Sequence, residues 1–203
     1  MSNSYDTEVQ WKEMKSKYLS FIKDSASKHD IEPAIICAIM SRESCAGLIL
    51  NPPGPAGTGD GGHGRGLCQI DDRSHSFFTS VEDWKDPAKN IEYGMDLLRN
   101  NINYFLRKDP NQALALRRAL AGYNCGCGNV DKTISNGTDV DSRTANQDYS
   151  KNVLERAVFF RSKLEELNPP VQTNPVDNKT SPIQVNSLLE LLKNFMASWG
   201  KKP

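Results

Sequence analysis

The stretch AIICAIMSRES, residues 34–44, organises everything around it. Its first seven residues, Ala34 to Met40, are apolar without a break. Asp30 and Pro33 precede them, a cap and a ring suited to a first helical turn. The pattern predicts a helix over 32–44 that is apolar on nearly every side. Such a helix is buried on most of its faces. Near its end stands Glu43, on the same face as Ile36, Ile39 and Met40. Two effects there favour a protonated carboxyl. Apolar surroundings disfavour the charged form, and the C-terminal end of a helix carries partial negative charge. A carboxyl that keeps its proton near neutral pH is suited to general acid catalysis. The plainer alternative is a surface glutamate at a helix end, or one paired with Arg42.

Upstream, Trp11, Met14, Tyr18 and Phe21 recur at helical spacing and predict one helix over 8–28. Downstream, residues 46–66 hold eight glycines and three prolines in 21 positions. This is a long loop, and long loops inside compact domains tend to be functional. RGLCQIDD, residues 65–72, has room for a strand or two at its far edge. Asp86-Pro87 opens a helix with Ile91, Met95, Leu98, Ile102 and Phe105 on one face. Another helix is expected over about 111–121, then a glycine-rich break at GYNCGCGNV. Residues 146–167 carry the stripe Tyr149, Val153, Ala157, Phe160 and Leu164. Residues 168–182 hold four prolines in 15 positions and read as linker. Ser187 with Glu190 forms a capping box for a short amphipathic helix. The expected organisation is a domain over 1–167, a Pro-rich linker over 168–186, and a C-terminal helix and tail over 187–203. The fold class is mainly α, with a small β element at most.

Composition narrows the function. The 203 residues suffice for one domain with a sizeable core. Lysine plus arginine equals aspartate plus glutamate, 25 each. A nucleic-acid binder usually carries a basic excess, so no nucleic-acid partner is expected. No apolar stretch approaches the roughly 20 residues of a membrane-spanning helix. The N-terminus alternates charged and apolar residues, unlike a secretory leader. Five cysteines leave at least one thiol unpaired within the chain. Their spacing matches no common zinc pattern, and no metal is expected. Cys37 reads as a small core residue. One or two disulfides among the others are compatible with the sequence.

Asp60 and Asp71 are the carboxylates that give Glu43 a context. Aspartates in loops are commonly turn-formers. A glycine-rich loop folded over the helix end would also bring them opposite Glu43. An acid facing carboxylates across a cleft is the arrangement for hydrolysing a glycosidic bond.

SRES at 41–44, followed by Gly59-Asp60, Gly62, Gly64, Gly66-Leu67, Gln69, Asp71 and Arg73-Ser74-His75, resembles goose-type lysozymes, glycoside hydrolases of peptidoglycan. AGYNCGCGNV from Ala121 and QDYSKNVLERAVFF from Gln147 are similar to two further blocks of that family, in family order. The resemblance covers about residues 8–166 and implies a lysozyme-like α+β fold: a helical catalytic domain with a small β element and a cleft. Glu43 falls at the family's general acid, and Asp60 and Asp71 at the aspartates that hold the attacking water. Tyr123 and Asn124 match sugar-contacting positions; Gln69, His75 and Tyr149 match cleft positions. Tyr149 also suits a core residue, and His75 a structural histidine. The implied reaction is endo-acting, inverting hydrolysis of the β-1,4 bond between N-acetylmuramic acid and N-acetylglucosamine. It needs no cofactor. A lytic transglycosylase, or a silent wall-binding protein, is the alternative.

Three features depart from the family pattern. The loop before Asp60 is longer than the family's link between the acid and its first aspartate. Cys125 and Cys127 replace alanines. Cys45 and Cys68 are placed so that a bridge between them would tie loop to helix. The substrate class favours an extracellular site of action, and a monomer is expected.

Overall fold

The computed structural model describes residues 5–167. The linker and C-terminal helix expected over 168–203 lie outside the described residues. Eight α-helices and a three-stranded sheet make up the fold among the described residues.

The expected helix over 8–28 is two helices, α1 (Thr7–Lys17) and α2 (Leu19–His29). Tyr18 leaves helical geometry at φ −123° and ψ −5°. The break has a packing reason. Residues 8–28 as one straight helix would span about 30 Å. Broken at the buried Tyr18, α1 lies on α3 (Pro33–Ser44) while α2 lies on α3 and α5 (Pro87–Leu106). Asp30 does not cap α3 (Pro33–Ser44); it closes α2 in the left-handed conformation, φ 49°. Glu32 takes the cap position without a side-chain cap bond, and its carboxylate pairs with Arg161.

Helix α3 is the axis of the molecule. Every residue from Ala34 to Met40 is at most 1% exposed. It packs chiefly on α8 (Tyr149–Leu167), with α1 and α2 against other faces. Full burial of each isoleucine is worth roughly 1.5–3 kcal/mol. The helix stops at Cys45, Ala46 and Gly47, three successive residues with positive φ. Ser44 fastens that end: its hydroxyl donates to the Met40 and Leu67 carbonyls and accepts from the Gly47 amide.

The glycine-rich segment contributes β1 (Thr58–Gly59), β2 (Gly64–Arg65) and β3 (Ile70–Asp71), antiparallel in that order. Gly59 pairs with Gly64, and Gly64 with Asp71. A Cβ on Gly59 or Gly64 would come within 2.2 Å of Gln69 Oε1, so a larger residue at either would displace the Gln69 side chain from its place across the sheet. Helix α5 (Pro87–Leu106), capped by Asp86 as expected, clamps the same segment through Asn90. The Asn90 side chain accepts from the Cys68 amide at 2.8 Å and donates to the Arg65 carbonyl at 3.0 Å. A short helix the sequence did not suggest, α4 (Ser76–Ser80), turns Phe78 inward to stack on Tyr93 with ring centres 4.0 Å apart.

Helix α6 (Gln112–Cys125) runs past the expected end at 121. The break shrinks to Gly126, at φ 84°, and α7 (Cys127–Ser135) starts directly after it. The stripe on α5 is buried throughout, as are Tyr149, Val153, Ala157 and Phe160 of α8. All five cysteines are free thiols. The conceivable Cys45–Cys68 bridge is therefore not formed, and the Ser44 and Asn90 hydrogen bonds tie the loop down instead.

Candidate active site

Glu43 lies in the last turn of α3 and is half-buried. Burial pushes its carboxyl up to about 7, opposed by the Tyr149 hydroxyl and by the charge of Arg42. Arg42 is not the partner of Glu43. It donates to Asp148 at 2.8 Å and to the Ala145 carbonyl at 3.3 Å. The partner is Tyr149, whose hydroxyl donates to Glu43 Oε1. Tyr149 is 1% exposed and does not line the cleft; its ring is core and only its hydroxyl reaches the site.

Glu43 opens into a cleft of about 750 Å³. Asp60, Gln69, Asp71, His75, Tyr123 and Asn124 all line it with Glu43. Seven of the eight expected site residues thus share one cavity, and the eighth, Tyr149, bonds the carboxyl within it. The two aspartates are joined by a residue outside the expected set. Arg73 donates through Nε to Asp71 Oδ1 at 2.9 Å and through Nη2 to Asp60 Oδ2 at 2.9 Å. The Arg73 guanidinium holds the Asp71 carboxyl below the ordinary carboxylate range. An acid kept protonated and a carboxylate kept ionised in one cleft give opposed environments of the kind acid–base chemistry uses.

The remaining residues have structural ties as well. Gln69 donates to the Gly66 carbonyl and lies across β1 and β2. Tyr123 donates to the Cys68 carbonyl at 2.9 Å, and Asn124 accepts from the Ala145 amide at 2.8 Å. His75 meets the Tyr93 hydroxyl at 3.1 Å, and burial holds its imidazole below the ordinary value. Sequence reasoning missed Asn101, which also lines the cleft; Cys125 and Cys127, expected at or near the cleft from the Tyr-Asn motif, line it too. The same reasoning also missed Asp141, a buried carboxylate that accepts from the Ser150 amide and hydroxyl and from the Lys151 amide. These bonds fix the start of α8 and so the position of Tyr149. Neither residue spacing nor local composition signals them, because each partner is distant in sequence or on another element. Among the described residues, no cluster of three or more His, Cys, Asp or Glu is arranged to hold a metal.

A cleft lined by a small sheet and by helix ends, with a buried helix delivering a carboxyl into it, is the architecture of lysozyme-type glycoside hydrolases. The family model Lysozyme g matches residues 7–163. Lysozyme g of the cassowary Casuarius casuarius is 34% identical over 71% of this chain and 73% of its own length. Lysozyme g of Gallus gallus is 35% identical over 72% of this chain and 64% of its own. Lysozyme g of the carp Cyprinus carpio is 33% identical, over 72% and 74% respectively. The chain belongs to the lysozyme g family of glycoside hydrolases.

Proposed function

We propose that this chain is an endo-acting muramidase that cleaves the β-1,4 bond between N-acetylmuramic acid and N-acetylglucosamine with inversion. The observation that carries the proposal is the Glu43 carboxyl, pushed up to about 7 and opening into a cleft shared with two arginine-held aspartates. Glu43 donates its proton to the leaving glycosidic oxygen. Asp60 and Asp71 hold a water on the other face of the sugar, and the carboxylate pair takes its proton as it attacks the anomeric carbon. Tyr149 keeps the Glu43 carboxyl oriented throughout. Tyr123 offers a ring to a sugar face, and Asn124 offers an amide to hydroxyl or N-acetyl groups. Gln69 and His75 complete the walls. Lysis of bacterial walls, and with it an antibacterial role, is the expected consequence.

Digestion of purified peptidoglycan tests the proposal. The expected products carry reducing ends, and the first-formed anomer is inverted by NMR. Anhydro ends at positions 1 and 6 would assign the chain to transglycosylation, in which the sugar's own hydroxyl attacks. No cleavage at all would leave a wall-binding protein.

A further inference from the structure

Asp60 sits on backbone poorly suited to hold it. Asp60, Gly61 and Gly62 have φ of 47°, 62° and 98°, three successive left-handed residues. An aspartate tolerates that region at some energetic cost. The Asp60 side chain is 69% exposed, with glycines on both sides of it in sequence. Among the described residues, one side chain bonds its carboxylate, and that is Arg73. The same guanidinium bonds Asp71 through Nε at 2.9 Å and Nη2 at 3.3 Å, and the Arg73 amide reaches the same carboxylate at 2.9 Å.

We propose that Arg73 is a positioning residue for glycosidic cleavage: its guanidinium pins the Asp60 carboxylate to that of Asp71 and so sets where the pair holds water. The inference rests on the reading of Asp60 and Asp71 as the water-holding pair. Two carboxylates sharing a site repel, and one tends to keep a proton. A guanidinium between them offsets that repulsion. Its planar fork also fixes their relative orientation, which a lysine ammonium does not do. The neighbouring Asp72 does not compete for Arg73, because it is held by His63 at 2.9 Å and Arg65 at 2.5 Å. Glu43, His75, Tyr123, Cys125 and Cys127 also line the cleft and carry shifted values. The ion pairs are exposed enough to contribute little to stability. Activity and stability should therefore separate at this residue.

The test is steady-state kinetics of the full chain on solubilised peptidoglycan, for Arg73→Gln, Arg73→Lys, Asp60→Asn, Asp71→Asn and the Arg73→Gln/Asp60→Asn double variant, with a melting curve for each. Misplacing a reacting group by about 1 Å can cost about 10²-fold, so Arg73→Gln should lower kcat on that order. KM and Tm should stay near the parent values. The acid limb of the pH profile should move up, because Asp71 loses the cation that lowers it. Arg73→Lys should return the acid limb but not the full kcat. Adding Arg73→Gln to Asp60→Asn should cost much less than in the parent, since the two act through one contact. A kcat for Arg73→Gln within about threefold of the parent, or losses that simply add, would overturn the inference. Parental activity in both Asp60→Asn and Asp71→Asn would instead sink the reading of the pair, whatever Arg73 does.

Discussion

Glu43 concentrates the chemistry of this protein in one proton. Its folded-state value of about 7 stands above the ordinary 4.5, because burial outweighs the Tyr149 hydrogen bond. The sign for stability follows from that rise. The contribution of the carboxyl is fully present below its unfolded value of 4.5 and is lost progressively as pH rises from there through about 7. Glu43→Gln, which stays neutral, should therefore gain stability relative to the parent between pH 4 and pH 8. The relative gain is on the order of 3 kcal/mol if the full difference is expressed. Thermal unfolding of both proteins at the two pH values checks this. The same variant should lose nearly all wall cleavage, since general acid catalysis typically contributes 10²–10⁴-fold. The position of Glu43 on an apolar face was legible from spacing alone. Its partner was not legible from spacing, because Tyr149 lies 106 residues away; the family resemblance marked Tyr149 as a cleft residue but not as the group that bonds Glu43.

The elements that carry the cleft were legible in proportion to their periodicity. Helices α3, α5 and α8 announce themselves by long apolar stripes, and their buried faces match those stripes. The break at Tyr18 and the extension of α6 to Cys125 were not legible, since packing on neighbouring helices decides both. The sheet is three two-residue strands, too short for any alternation to show. It is held in place by contacts from outside itself, above all by the buried Asn90. Asn90→Ala would leave the Cys68 amide and the Arg65 carbonyl without that partner. Unsatisfied buried polar groups cost about 1–3 kcal/mol each, so denaturant unfolding should show a loss in that range. Cleavage should fall as well, because Asp71 lies on β3 and Asp60 directly follows β1, in the sheet segment that Asn90 anchors.

At the scale of the whole molecule, one core cluster joins α1 through α8, from Trp11 to Phe160. The cleft residues from Glu43 to Cys127, and Tyr149 that bonds Glu43, all belong to the helices and strands this cluster joins or to the loops between them. Truncation after Leu167 is therefore expected to leave a folded, active domain with a Tm near that of the full chain. Loss of folding on truncation would show that the final 36 residues complete the core. Among the described residues, no helix is long and apolar enough to cross a membrane.

By itself the sequence determined that a greasy helix lies at the centre and that a carboxyl stands at its end. Both follow from local rules, the 3.6-residue period and the burial of apolar side chains, which act between neighbours in the chain. Only the tertiary structure decided that Tyr149 holds that carboxyl, that Arg73 joins Asp60 to Asp71, and that the thiols stay free. Those outcomes depend on which side chains meet when distant segments pack, since hydrogen bonds form only at contact distance and charge pairs weaken with separation in water.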